Sequence, residues 1–561
     1  MNKLLNRFAK QVYTFGMLMT LGLADLMGQE TRRPNIVFMM ADDMGYGNVS
    51  SYGNADMVAT PNIDRIAEQG MRFTDAHSPA AVCQPTRYAL LSGRIYPRST
   101  YGRFQAGTYF RDGETPLPKL LQESGYATAM FGKWHLGFGW DKKRGDQVDW
   151  NAELTHGPNW IGFDYWFGMP NSHAQPPSVF VENNRVYKHD PADPLEVISM
   201  EEADKRGIKI PPNMPRWGAT VGAKAAVEAC PLDRLDLILA ERAGKWIAQQ
   251  KADEPFFLYV PFFAPHVPLA VAEEFQGTSP LAIKLGRHNN NAARTADYCV
   301  QLDHAVGMIL DALEKHGFAD NTLVVFTSDN GNLNFADNAF VDFRTNGPWL
   351  GSKTDTWEGG HRVPLVVRWP GRTPVGEVSH TLVSLTDFYD TFLAAAGVVK
   401  PEGAGADSIN QLELLTSPGK APPKRLAMVY KGKNWGLRIG DWIYLPHQGA
   451  GGLANPGAPV VKLGFTNSDY DENNKLKPDA PPEQLYHIRR DPAQTTNLYE
   501  QHPGLVEQFK AVQKALGANI GGMWNKDHVD VPLKDFLPLI DEQYHEQIWP
   551  REFWLKVEVG Q

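Results

Sequence analysis

The sequence predicts an α/β fold: a large, mostly parallel central sheet flanked by helices, followed by a smaller C-terminal α+β subdomain containing a short antiparallel sheet. Three observations predict it. Apolar runs at 35–41, 126–131, 255–260, 323–327 and 365–369 lack polar alternation, the pattern of strands covered on both faces. Helical patterns at 117–123, 232–249, 294–316 and 387–396 are interspersed with them. After a Gly-, Pro- and Ser-rich stretch at 403–424, segments at 426–430, 435–444 and 484–486 alternate like antiparallel strands, and a terminal helix follows at 505–516.

With 561 residues and 42% hydrophobic content, the chain is long enough for one large domain and a smaller one. A formal net charge of −9 gives no support to nucleic-acid binding, so any basic site must be local. Cys83, Cys230 and Cys299 make no disulfide scaffold, and the last two can pair or stay buried. Lys3, Arg7 and Lys10 precede an apolar run at 12–23 with Gly22 and Ala24 at its end, the layout of a secretory signal peptide rather than a membrane span. The predicted organisation is a signal peptide over 1–24, an N-terminal domain carrying the chemistry over 33–420, and the C-terminal subdomain over 425–561. An exported protein, periplasmic or secreted and without stable membrane insertion, is expected.

Taken in order, the strand at 35–41 ends in Asp42 and Asp43, adjacent carboxylates that repel each other unless a cation neutralises them. Thr60 and Pro61 open a helix that Gly70 ends. Pro85 suits the first turn of another helix and Gly93 its C-cap. Cys83 is then expected just ahead of a helix N-terminus, where free N–H groups and the macrodipole attract anions, and Arg87 reaches back to the same place. The strand at 126–131 leads to Lys133 and His135 among glycines, the one at 255–260 to His266 among prolines, and the one at 323–327 to Asp329 and Asn330. Ligands of an open parallel sheet bind outside the carboxyl ends of its strands, so four runs ending in chemistry predict one shared site. Asp42, Asp43, Asp329 and Asn330 offer hard oxygens, which suit Ca²⁺ or Mg²⁺ rather than zinc. Lys353 lies in a glycine-bounded loop, and Arg103, His156 and His173 are candidates for lining a substrate pocket, with an insertion at 183–231 over the core.

Cys83-x-Pro85-x-Arg87 followed by Leu90-Leu91-x-Gly93 resembles the signature of the type I sulfatases, members of the alkaline phosphatase superfamily; Gln84 stands where many members carry a smaller residue. The likeness extends over residues 33–362 and more loosely over 485–498. The resemblance implies an alkaline phosphatase-like fold and a sulfuric ester hydrolase. It implies that a separate formylglycine-generating enzyme oxidises Cys83 to Cα-formylglycine, whose hydrate attacks sulfur. It further implies one Ca²⁺ held by Asp42, Asp43, Asp329, Asn330 and residue 83. Lys133, Lys353 and Arg87 are implied to spread the sulfate charge, with Arg87 also orienting residue 83. His135 becomes the base for sulfate release, and His266 or Lys353 the leaving-group acid. Export and abundant Trp and Tyr suit a sulfated carbohydrate substrate. A phosphodiesterase or phosphonate monoester hydrolase on the same scaffold, and a non-catalytic sulfoglycan-binding relative, remain open readings.

Overall fold

The first apolar run forms β1 (Asn35–Asp42), and Ile36 through Ala41 are 0% exposed because each face of the strand meets a different core. Ile36, Phe38 and Met40 enter one core, while Val37, Met39 and Ala41 enter the other. Full burial contributes roughly 1.5–3 kcal/mol for each large apolar side chain, so polar alternation here would cost stability on both faces. The structure is a computed structural model describing residues 32–515 except 96–106, 140–147, 209–216, 287, 334–341, 433, 453–464 and 474. The expected signal peptide, Arg103 and residues 516–561 lie outside the described residues.

Nine further strands complete the main sheet: β2 (Met71–Phe73), β3 (Ala127–Phe131), β4 (Tyr165–Gly168), β5 (Val181–Glu182), β6 (Arg185–Val186), β7 (Phe256–Pro265), β8 (Thr322–Ser328), β9 (Leu365–Arg368) and β10 (Glu377–Ser379). Their order is β10-β2-β9-β8-β1-β7-β3-β4-β5-β6. The central block β8-β1-β7-β3-β4 is parallel throughout. Antiparallel pairing enters on either side, at β8–β9, β9–β2, β4–β5 and β5–β6. Register aligns Ala41 with Ser328, Asp42 with Pro265 and Tyr259 with Met130. The carboxyl ends of β1, β3, β7 and β8 therefore open on one edge.

Helices α1 (Pro61–Glu68), α2 (Cys83–Ser92), α3 (Leu117–Glu123), α4 (Leu235–Ile247), α5 (Asn291–Lys315) and α6 (Phe388–Ala395) cover the two faces. The apolar residues of α1, α4 and α5 fill one core, and those of α2, α3 and α6 the other. The expected insertion carries structure of its own, a two-stranded sheet of Glu196–Ile198 and Ala219–Val221 with short helices at Met200–Lys205 and Lys224–Glu228. Cys230 and Cys299 are buried free thiols, which decides between the two states the sequence left open. No helix among the described residues is long and apolar enough to cross a membrane.

The alternating C-terminal segments form an antiparallel sheet, β11 (Ala427–Lys431), β12 (Trp435–Ile439), β13 (Trp442–Leu445) and β14 (Gln484–His487). Val429, Leu437 and Tyr444 face α7 (Pro503–Ala515), packing on Leu505, Phe509 and Val512. Met428, Tyr430, Ile443 and Tyr486 face the main body through Leu350 and Trp357. Both faces of the small sheet are thus covered.

A buried polar network ties this small sheet to the large one. Arg438 donates from both terminal nitrogens to Asp75 at 2.8 Å, and His77 Nε2 lies 2.8 Å from the same carboxylate. His77 Nδ1 lies 3.0 Å from His361 Nδ1, and Arg362 pairs with Glu358 at 2.7 Å and with Asp75 at 2.8 Å. Burial pushes His361 down to about 3 from an ordinary 6.5. Burial alone would raise Glu358, but Arg362 and the histidines hold it down to about 2, below its ordinary 4.5. Both groups take up protons more readily in the unfolded chain, so their stabilisation is present at neutral pH and lost as pH falls. The stability lost between pH 6.5 and 3 should therefore be smaller in Glu358→Gln than in wild type, measured by calorimetry across that range; an identical pH dependence in the two proteins would contradict this account.

Candidate active site

Asp42 ends β1 and Asp43 turns the chain away with φ 64, a left-handed conformation that Asp adopts more readily than most residues. Its backbone is held on both sides: Asp43 N donates to Asp329 Oδ1 at 3.0 Å, and Asn332 Nδ2 donates to Asp43 O at 2.6 Å. Asn330 Nδ2 donates to Asp43 Oδ1 at 2.7 Å. Asp42, Asp43 and Asp329, which sequence separates by up to 287 positions, meet because β1 and β8 are adjacent parallel strands.

The helix carrying Cys83 starts two residues earlier than Pro85 suggested. It begins at Cys83, with extended Val82 as N-cap and Gly93 at φ 65 as the left-handed C-cap. Proline is tolerated anywhere in the first turn, because those N–H groups have no intrahelical partner. Cys83 therefore sits in the first turn itself, 5% exposed, with Sγ 4.0 Å from Asp43 Oδ1 and 3.6 Å from Lys353 Nζ. Burial pushes its thiol well up, helped by the charge of Asp329, so it is not a thiolate at neutral pH.

Each carboxylate has its own cation. Lys133 Nζ lies 2.8 Å from Asp42 Oδ2, and Lys353 Nζ 2.7 and 2.8 Å from the two oxygens of Asp43. Arg87 donates to Asp329 Oδ2 from Nη2 at 2.7 Å and Nε at 3.1 Å, with Asp42 Oδ1 3.4 Å away. Burial opposes ionisation of Asp42, yet Lys133, His266 and Arg87 hold it well below the usual carboxylate range. Lys133 and Arg87 are 0% exposed, so they face carboxylates and not the solvent, whereas the Lys353 side chain is 15% exposed. Lys133 reaches the cluster because Gly132 (φ 144) lets β3 leave the sheet where a Cβ would stand 1.9 Å from Pro261 O.

Three histidines surround this centre. His266 is 8% exposed, with Nε2 3.6 Å from Asp43 Oδ2 and Nδ1 donating to its neighbour's carbonyl at Val267. Burial and Lys353 push it down to about 4. His135 (φ 58) is pushed well down by burial, Lys133 and Arg87, and its buried Nδ1 has no hydrogen-bond partner among the described residues. His173, expected as a pocket lining, is 0% exposed and packs behind His266 with ring centroids 5.5 Å apart. Its ring also meets Phe263, with centroids 5.5 Å apart. His156 is half-buried and packs its ring on Trp160 at 4.8 Å.

The donor set fits a hard cation. Ligand atoms of Asp42, Asp43, Cys83 and His266 lie within 4.8 Å of one another. Asp42 Oδ1 and Asn330 Oδ1 are buried oxygens that accept no hydrogen bond from the described residues, the kind of orphaned acceptor a cation satisfies. Sequence reasoning missed Asn332, Ser172 and Ser328, whose side chains brace Asp43 O, His266 Nδ1 (3.5 Å) and Met44 N (2.8 Å). Asn332 follows Asp329-Asn330-Gly331 closely enough to have been noticed; the two serines carry no distinguishing pattern.

A sheet edge that gathers carboxylates, cations and a helix-N-terminal cysteine defines a hydrolase of anionic esters in the alkaline phosphatase-like class. Residues 34–398 match the family model Sulfatase, and the chain belongs to the sulfatase family, enzymes that hydrolyse sulfate esters. It is 32% identical over 524 residues to an N-acetylgalactosamine-6-O-sulfatase of Bacteroides thetaiotaomicron, covering 87% of this chain and 94% of that protein. To the human N-acetylgalactosamine-6-sulfatase it is 33% identical over 395 residues, 68% of this chain and 66% of the human one. A solved Bacteroides thetaiotaomicron structure associated with the metabolism of multiple glycosaminoglycans superposes with a TM-score of 0.72 at 29% identity, covering 87% of this chain and 99% of the other.

Breaking one buried pair leaves a charge without compensation. Lys133→Met should lower unfolding free energy by roughly 3–5 kcal/mol, measured in urea with chelator present to keep cations out. A loss under about 1 kcal/mol, the range of exposed pairs, would mean that Lys133 and Asp42 are not a buried ion pair.

Proposed function

We propose that this enzyme removes a 6-O-sulfate from N-acetylgalactosamine or a similar sulfated saccharide, using a Cα-formylglycine made from Cys83 and one calcium ion. The observation that carries the reading is the meeting of Asp42, Asp43, Cys83 and His266 within 4.8 Å, with Lys353 Nζ on the cysteine. The substrate follows from the names of the bacterial and human relatives. The raised thiol pKa supports modification, since an unmodified Cys83 is a poor nucleophile. Maturation requires a formylglycine-generating enzyme, and the N-terminal pattern supports export.

Asp42, Asp43, Asp329 and Asn330 would hold calcium, which when bound offsets charge on the sulfate while oxidised residue 83 supplies the attacking hydroxyl. Lys353, open to the cleft, binds sulfate oxygens and strengthens its hold as charge shifts during sulfur–oxygen cleavage. Lys133 and Arg87 act from behind: Lys133 helps hold Asp42 ionised, and Arg87 aims the carboxyl of Asp329, which burial and the neighbouring Asp42 push up to about 7. Neutral His135 takes the proton whose loss expels sulfate from residue 83. His266 has its Nδ1–H on Val267 O, so Nε2 is the atom that carries a proton to the leaving alkoxide. An arriving anion raises the pKa of His266 and helps charge it.

Mass spectrometry of the Cys83 peptide from a maturation-competent host should show the aldehyde. Cys83→Ala should lose roughly 10³-fold or more in turnover with the fold retained, read by sulfate release and circular dichroism. Chelation should abolish turnover, and calcium should restore it. Among defined monosaccharide sulfates, release from N-acetylgalactosamine 6-sulfate should exceed release from its 4-sulfate and from the corresponding phosphate ester. Faster cleavage of the phosphate would replace the sulfatase reading of this site with that of a phosphoester hydrolase.

A further inference from the structure

The five residues after β4, Met169 to His173, touch both histidines of the cleft. Met169 O and Pro170 O accept from Trp134 N at 3.0 Å and His135 N at 2.9 Å, which fixes the backbone carrying His135. Ser172 Oγ stands 3.5 Å from His266 Nδ1. His173 Nε2 lies 3.1 Å from Pro268 O, and a carbonyl only accepts, so His173 carries its proton on Nε2. That bond ties the segment 266–268, just past the end of β7, to the segment after β4. The His173 ring also meets His266 nearly edge-on, at 69°, and Phe263 at 88°. It is 0% exposed, so it acts on the reaction only through what it holds.

We propose that His173 is a positioning residue that locks the rotamer and tautomer of His266. His266 closes its Nδ1–H on the carbonyl of the very next residue, an arrangement that alone leaves the ring free to swing or flip. The Ser172 hydroxyl and the His173 edge remove that freedom, and the Pro268 bond keeps the backbone still while they do so. With the ring locked, Nε2 stays on the side of Asp43, Cys83 and Lys353, where a leaving oxygen would stand. Burial keeps His173 neutral, with a pKa of about 3, so its Nε2–H bond persists across the working pH range. The catalytic consequence rests on the proposed role of His266; the structural consequence does not.

Two measurements separate those layers. In protein labelled with ¹⁵N-histidine, with His266 assigned by loss of its signals in His266→Gln, wild type should show a single Nδ1–H tautomer at His266. His173→Phe keeps ring shape and burial but removes the donor, and should give a tautomer mixture. His173→Gln puts an amide N–H at the same number of bonds from Cβ and should return the wild-type pattern. In turnover of N-acetylgalactosamine 6-sulfate, His173→Phe should lower kcat about 10–100-fold, the scale of one misplaced general-acid group. KM should stay within about threefold, and His173→Gln should recover most of the rate. An unchanged His266 tautomer in His173→Phe overturns the proposal. A changed tautomer with unchanged kcat upholds the positioning and instead removes His266 as the proton donor. A rise in KM with kcat and the His266 tautomer both unchanged would make His173 a substrate contact and would also overturn it.

Discussion

Three carboxylates and three cations share one buried volume at the carboxyl edge of the parallel strands, and neither set is tolerable there without the other. Asp42, Asp43 and Asp329 are each 2% exposed or less, and Lys133, Lys353 and Arg87 answer them one for one. A lone carboxylate moved into such a place costs several kcal/mol, which attraction in low dielectric repays only when geometry is good. The two aspartates at the end of β1 are a liability by themselves. They become a stable feature because Asp329 on β8, Lys133 after β3 and Arg87 on α2 are delivered by neighbouring elements.

The scaffold that delivers them extends beyond the main sheet. Ala81 N donates to Lys431 O at 2.6 Å, and Lys431 N to Pro79 O at 3.2 Å, so β11 runs alongside the segment that leads into Cys83. Arg438 on β12 grips Asp75 and His77 on the same approach, while Glu358, His361 and Arg362 follow the loop of Lys353. The small sheet therefore fixes, from outside, the two segments that bring cysteine and lysine together.

Electrostatics explains why the cysteine is suited to conversion into something else. A nucleophilic thiolate needs an electropositive, partly open setting. Cys83 is nearly closed off and is surrounded by as many negative as positive charges, so its thiol stays protonated. The histidines are pushed the other way: His135, His266 and His173 all lose basicity on burial among cations and one another. Neutral imidazoles beside a charge-balanced cluster form a centre that an added cation turns net positive, which is the polarity an anionic ester requires.

The sequence by itself determined the strands and what ends them. A run such as 35–41 has the pattern of a strand buried on both faces, and Asp42–Asp43, Lys133 and Asp329 follow strand ends legible in the sequence, whereas β7 runs on to Pro265, past the expected end at 260, to bring His266 to its edge. The cysteine helix was legible too, because proline and glycine restrict φ locally, although its first residue was not, since proline is permitted anywhere in the first turn. Tertiary structure alone decided which of the carboxylate-paired cations is fully buried and which also faces the cleft. Lys133 and Lys353 are the same letter, and only the depth of each backbone makes one a buried counterion and the other open to the cleft. It decided also that His173 is fully buried against His266, and that Arg438, more than 300 positions from Asp75, completes the approach to Cys83. Periodicity and φ preference are local and survive in one dimension; burial and charge pairing depend on neighbours that only folding supplies.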